Sequence, residues 1–359
     1  MSRGNNGAIL GLALLVVLVQ VATRITDTSF YLTQLTMAGY YCLVILGLCL
    51  VMGYAGQISL GHAGFFAIGG YLSAFLTTVD LSPHSENAVV KILTSLKFLT
   101  LREDLYGGEL LSVHPWVAGI VAVSTAVVIA YLIGGPVLRL KGHYLAMATL
   151  GFGIIVYRVA LGTAAFGEAD GISEVPAFAL TAGLEISGSL SARVSNYYIA
   201  WSLVLLGLWG LLNLVDSRVG RALRAIHGAE DAAEAMGVDT AGLKLRTFVL
   251  SAAFAALAGI FLTHYNGGIG PSEASVMKSI RYVAIVAVGG MANLWGALTM
   301  GAVLNFLSLR GYFGSFDDAV FGVILIIIML FLPNGIIGRT VFRAGRKPPK
   351  TEEARDAAS

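Results

Sequence analysis

The chain has 359 residues, 57% of them hydrophobic and 12% charged, with a formal net charge of +2. A soluble domain needs more surface charge than this, so a mean hydropathy of +0.79 excludes a soluble enzyme or binding module. Apolar runs long enough to cross about 30 Å of hydrocarbon as helix recur along the chain, whereas the alternating pattern of an outer-membrane barrel is absent. The expected fold class is therefore an all-α polytopic membrane protein.

The first apolar run, 7–25, reads as an uncleaved span rather than a signal peptide, because it is long and no small-x-small cleavage site follows it. Further spans are expected at 31–53, 57–79, 116–138, 143–163, 197–215, 247–265 and 319–337. Cys42 and Cys49 share the second span, about 10 Å apart along a helix, which is beyond disulfide reach, so both read as small packing residues. The apolar stretch 281–309 is interrupted at "VGGMANLWG" by Gly289, Gly290, Asn293 and Gly296. Its two legs reach only about 21 Å each, too short for full crossings. A broken or re-entrant pair is expected there, buried in protein or lining a wet cavity. Two short tilted spans are the alternative, which gives eight to ten crossings in all.

Orientation follows from lysine and arginine. With the N-terminus cytoplasmic, 14 of the 23 lie in inside segments, and 13 of the 21 acidic residues fall outside, mostly in the loops 80–115 and 164–196. That bias places both termini in the cytoplasm. The chain then divides into a transmembrane domain, 1–343, with a cytoplasmic loop at 217–246, and a polar tail, 344–359, read as disordered.

Two stretches carry polar residues where lipid-buried helix is expected. "GYAGQISLGHAGF", Gly53 to Phe65, holds Gln57, Ser59 and His62 among four glycines. Taken alone, these are packing residues: glycines permit close helix approach, Gln57 and Ser59 bond across helices, and a lone histidine is usually satisfied in place. "VGGMANLWGALTMG", Val288 to Gly301, has the same texture, however. Two interrupted apolar segments, one in each half of a membrane chain, point to a translocation path. Gln57, Ser59, His62 and Asn293 are the candidates for it, with Tyr54 and Tyr71 of second rank because interfacial tyrosines are common. Arg158, near a span end, reads as a snorkelling residue, and His227 as one facing water.

No G-x-x-x-x-G-K-[ST] phosphate loop occurs, and no Asp or Glu falls within any expected span. Energy for transport must come from elsewhere or not be needed. His62, His143 and His264 fall in different segments and form no triad or metal-spaced set, so no enzyme is expected. The loop segment "GRALRAIHGAEDAAEAMGVD" alternates charged and small residues at helical spacing, with Gly237 placed to end a helix. On its own it could be a solvated amphipathic connector.

Taken together, "GYAGQISLGHAGFFAIGGYLSA", "LRLKGHYLAMATLGFG" (Leu138 to Gly153), the block from Ser217 to Gly259, "AIVAVGGMANLWGALTMGAVL" and "FLPNGIIG" span about residues 35 to 338. In that order they closely resemble the permease subunits of branched-chain amino acid ABC importers of the LivM type. The resemblance implies an ATP-driven importer for branched-chain or related small amino acids, in the plasma (inner) membrane of a prokaryote. It implies a second, LivH-type permease, two ATP-binding cassette subunits that hold the ATP, and an extracytoplasmic substrate-binding protein; this chain needs no cofactor of its own, and no nucleic acid is involved. It also implies that loop 217–246 forms a coupling helix seated in the ATPase, with Arg221, Arg224, Glu230, Glu234 and Gly237 at the contact and Ala233 and Ala235 permitting close packing. Relatives of this kind also carry urea, short amides or other amino acids. A passive channel or a secondary carrier for such a solute is the alternative. The chain departs from the family pattern in the long charged loop 80–114, in "FGEADGISEVP" (Phe166 to Pro176) and in "LRGYFGSFDD", all on the expected outside.

Overall fold

The structure, a computed structural model, describes residues 3–84, 88–95, 98–103, 109–140, 142–181, 183–312 and 314–331. The tail 344–359 and the "FLPNGIIG" motif beyond Phe331 lie outside the described residues. The architecture is a helical bundle: α1 (Arg3–Ile25), α2 (Tyr31–Cys49), α3 (His62–Thr78), α4 (Ala88–Ser95), α5 (Pro115–Val137), α6 (His143–Gly162) and α7 (Arg193–Asp216) lead into a short arm. The arm is α8 (Arg218–Gly228) and α9 (Glu230–Ala235), after which come α10 (Thr240–Asn266), α11 (Val276–Gly289), α12 (Leu294–Leu309) and α13 (Asp317–Phe331). Among the described residues, six helical stretches are long and apolar enough to cross a membrane: 6–25, 31–54, 115–137, 143–162, 193–216 and 240–266. The protein is an all-α polytopic membrane protein, as composition requires.

α2 and α10 form the centre. The spanning part of α2 is 89% buried and that of α10 is 61% buried, against 11% for α1. α2 packs on α7, α10 and α12, and α10 packs on α3 and α5. Apolar residues all round α2 suit a helix enclosed by others. Between α3 and α10 the backbones nearly touch: a Cβ at Gly259 would fall on the Phe66 carbonyl, and one at Gly69 on the backbone of Ala256. The outer helices turn apolar side chains such as Leu14, Leu132, Met147 and Leu206 away from the bundle, which is the surface a bilayer covers.

Two elements depart from uninterrupted helix. α2 ends in a π-helical turn, Leu50–Tyr54, and the chain then runs non-helically to residue 61, so α3 begins at His62 rather than at 57. Gly56, at φ +68°, makes the turn that stops the helix. The freed amides find partners in other helices: Leu60 N–H donates to Thr149 Oγ1 at 3.0 Å and Ala63 N–H to Ser279 Oγ at 3.2 Å. The second interruption is the expected one. α11 and α12 pack against each other around a break at Gly290, φ +102°, and Gly289 lies directly against Gly296.

The loops joining helices cluster at two ends. One end carries α4, the hairpin β1 (Leu99–Glu103) with β2 (Glu109–Val113), and the paired β4 (Phe178–Thr181) and β5 (Leu184–Ile186). It also carries β3 (Ile172–Ser173), antiparallel to β6 (Gly268–Ile269). The opposite end carries the arm and Arg139, Arg218, Arg221, Arg224, Lys244 and Arg246.

Candidate functional site

The two interrupted segments meet at the arm end of the bundle. Gly53 sits against the Met291 carbonyl with no room for a Cβ, and Cys49 Sγ lies 3.5 Å from that same oxygen. Tyr54, buried, has its side chain beside the backbone at Leu294. Asn293 caps α12: its Oδ1 accepts from Trp295 N–H at 3.1 Å and from Gly296 N–H at 3.2 Å. Tyr54 and Asn293 are thus brought to one seam, although Asn293 spends its side-chain oxygen on the backbone. The two cysteines are free and buried, and Cys42 also faces α12, with Sγ 3.9 Å from the Leu298 carbonyl.

One turn further in, His62 is held from both ring nitrogens. Ser59 Oγ lies 2.9 Å from Nδ1, and Ser251 Oγ of α10 lies 2.7 Å from Nε2. All three side chains are buried, with Phe65 and Phe248 edge-on to the imidazole. Gln57 differs. Its side chain is 2% exposed and neither amide atom has a hydrogen-bond partner among the described residues. An unpaired buried amide is costly and asks for an occupant.

The arm is built by capping and by a strong division of faces. Ser217 Oγ accepts from Val219 N–H at 3.1 Å to start α8, and Asp239 Oδ1 accepts from Gly242 N–H at 2.9 Å to start α10. Leu223, Ile226 and Ala233 turn inward, whereas Arg221, Arg224, Glu234 and Gly237 are exposed. Gly237 has φ +83°, the left-handed residue after α9. Of the residues expected at an outer contact, Ala233 is buried and Glu230 is ion-paired with the buried Lys244 of α10, so these two fasten the arm to the bundle. Met236, not singled out in the sequence, is 85% exposed at the tip beside Gly237. His227, expected to face water, is exposed yet also lies over Gly56, where a Cβ would come within 3.1 Å of its Nδ1. The arm therefore touches the chain one residue from Gln57.

A second polar group was not legible in the sequence. The turn Pro271–Ala274 dips between α3 and α6 and brings Glu273 to Tyr41. Tyr41 lies ten residues into α2, about 15 Å from its start, so a carboxylate reaches mid-helix depth by way of a loop. Tyr41 Oη donates to Glu273, 3.2 Å from each oxygen, and Lys278 Nζ lies 3.0 Å from Glu273 Oε1 and 2.9 Å from Tyr41 Oη. Beside it, Arg281 pairs with Asp317 at 2.5 Å and with Asp318 at 2.9 Å, tying α11 to α13. The available signal was Tyr40–Tyr41, two hydroxyls in mid-span needing partners. At the same end, His264 links three segments, with Ser73 Oγ 2.8 Å from Nε2 and Nδ1 donating to the Pro176 carbonyl at 2.7 Å. An apolar cavity of about 250 Å³ lies between α3, α5 and α6, lined by Ala67, Tyr71, Phe152, Val156, Ala160 and Phe166 among others.

Residues 30–332 match the family model described as branched-chain amino acid transport system / permease component. The high-affinity branched-chain amino acid transport system permease protein LivM of Salmonella typhimurium is 31% identical over 351 residues, covering 92% of this chain and 74% of LivM. LivM of Escherichia coli is likewise 31% identical, over 91% of this chain and 74% of its own length. The LivH permease of Salmonella typhimurium is 26% identical, over 85% of this chain and 93% of LivH. No solved structure gives a significant match. On the family model and the two LivM alignments, the chain belongs to the permease component family of branched-chain amino acid transport systems, in its LivM-type branch.

Proposed function

We propose that this chain is the translocating subunit of an ATP-driven importer of branched-chain or related small amino acids, set in the inner membrane of a prokaryote with both termini cytoplasmic. It works beside a LivH-type permease, two ATP-binding cassette subunits that bind the ATP, and an external binding protein that delivers the substrate. The observation that carries this reading is the contact between the arm and the broken segment: His227 over Gly56, beside Gln57. A motion imposed on α8 and α9 from the cytoplasm has a direct route to the interrupted helix. Arg221, Arg224, Glu234, Gly237 and the protruding Met236 form the face an ATPase would grip, with Glu230 and Ala233 holding that face in place. In this reading Tyr54, Gln57, Ser59, His62 and Asn293 bound the path. Gln57 is the group with free hydrogen-bonding capacity, and the others hold the non-helical backbone open.

Tagging this chain and identifying what co-purifies from native membranes tests the proposal, with Arg221→Glu and Glu234→Arg beside the wild type. An ATPase that comes down with the wild type and is lost in the charge reversals is the expected result. A chain that purifies alone and still moves solute in vesicles without ATP would be a channel or secondary carrier instead.

A further inference from the structure

Glu273 and Lys278 stand at mid-helix depth with side chains about one-fifth exposed, 21% for the lysine and 20% for the glutamate. Structural ion pairs at such depth are expensive unless every partner is satisfied. Here two neighbours are not. Tyr282 is fully buried, one turn along α11 from Lys278, with its ring 6.1 Å from that of Tyr41. Tyr71 is 3% exposed and packs in one cluster with Ala274, the residue after Glu273. Neither hydroxyl has a hydrogen-bond partner among the described residues. An acid and a base, bonded to each other and to Tyr41, therefore share a neighbourhood with two unused hydroxyls, and the ring of Phe66 is stacked on Tyr41. The ring of Tyr71 also walls the 250 Å³ apolar cavity.

We infer that this cluster is a substrate station for zwitterionic amino acids, in which Glu273 receives the α-ammonium and Lys278 the α-carboxylate. The inference rests on the reading of the chain as an amino acid permease. An α-amino acid carries its two charges on adjacent carbons, so it can enter between the partners of a 3.0 Å ion pair and replace each with its own opposite charge. Tyr41 stays bonded to the carboxylate, and the hydroxyls of Tyr71 and Tyr282 supply the capacity that the dry ion pair leaves unused. The apolar cavity gives an aliphatic side chain a place beyond Tyr71. A neutral amide such as urea lacks the charges to separate the pair, so the station selects against it.

The test uses the assembly purified through this chain, reconstituted in vesicles and supplied with the external binding protein, with radiolabelled L-leucine as the probe. Glu273→Gln and Lys278→Met should each lower ATP-driven uptake by about tenfold or more, the size expected of a lost hydrogen bond to a charged group. Exchanging the pair, Glu273→Lys with Lys278→Glu, should restore thermal stability but not uptake, because an aliphatic side chain held beyond Tyr71 keeps the zwitterion from reversing and each end then meets a like charge. Uptake unchanged in both single variants, or fully recovered by the exchange, overturns the station and leaves the pair as a pin between the turn and α11. Wild-type vesicles that show no ATP-driven uptake defeat the importer reading separately. Saturation-transfer NMR with L-leucine then still reads the station: a signal lost in Glu273→Gln upholds it, and a signal absent or unchanged overturns it.

Discussion

At His62 the difference between a path residue and a strut is a matter of which hydrogen bonds are already made. Both ring nitrogens have hydroxyl partners, at 2.9 and 2.7 Å, so the imidazole is held at the start of α3 and ties it to α10. His62→Phe keeps an aromatic ring against Phe65 and Phe248 but leaves the Ser59 and Ser251 hydroxyls buried. Each unmade bond should cost about 1–3 kcal/mol, which thermal unfolding in detergent will register. Adding Ser59→Ala and Ser251→Ala should recover most of that loss, since apolar replacement of both partners is nearly neutral. A single variant that melts with the wild type would mean the hydroxyls repair themselves elsewhere. Residue type and neighbourhood made His62 and Ser59 legible in the sequence. Ser251 was not, because it is 189 residues away and only the α3–α10 packing brings it in. Glu273 escaped for a related reason: a loop reads as surface, and nothing local says that it dips to Tyr41.

At the level of elements, glycine and amide punctuation marked the α11–α12 break correctly, and amphipathic spacing marked the arm. The start of α3 was misplaced by five residues, since an apolar run hides a backbone stop that depends on Thr149 and Ser279 from other helices. The arm offers its own test. Glu230→Gln strands the buried ammonium of Lys244, whereas Lys244→Met leaves the more exposed Glu230 in contact with water. The first variant should therefore loosen the arm more, seen as a larger loss of co-purifying ATPase. The two changes together should be milder than Glu230→Gln alone. Equal losses in both single variants would mean the ion pair does not hold the arm.

For the whole molecule, the basic end and the loop-rich end imply opposite sides of a membrane. Cys42 and Cys49 are both buried, so an impermeant thiol reagent should find little background in intact cells. Glu168→Cys, at an exposed position of the loop-rich end, should be labelled from outside, and Glu234→Cys only after permeabilisation. The reverse pattern would invert the orientation. The arm hangs between two helices held very differently: α7 leans on α2 and α1, while α10 is wedged among α2, α3 and α5. A push on the arm, as proposed above, would be shared by both, and the loosely held one would yield further. The mismatch becomes shear along α2, which packs against each of them and ends in the π turn beside Gly56. A turn already wound to the wider i→i+5 bonding slips more readily than a regular one, so if an ATPase drives the arm as proposed, the expected response is local rewinding at Leu50–Tyr54 rather than rotation of the bundle.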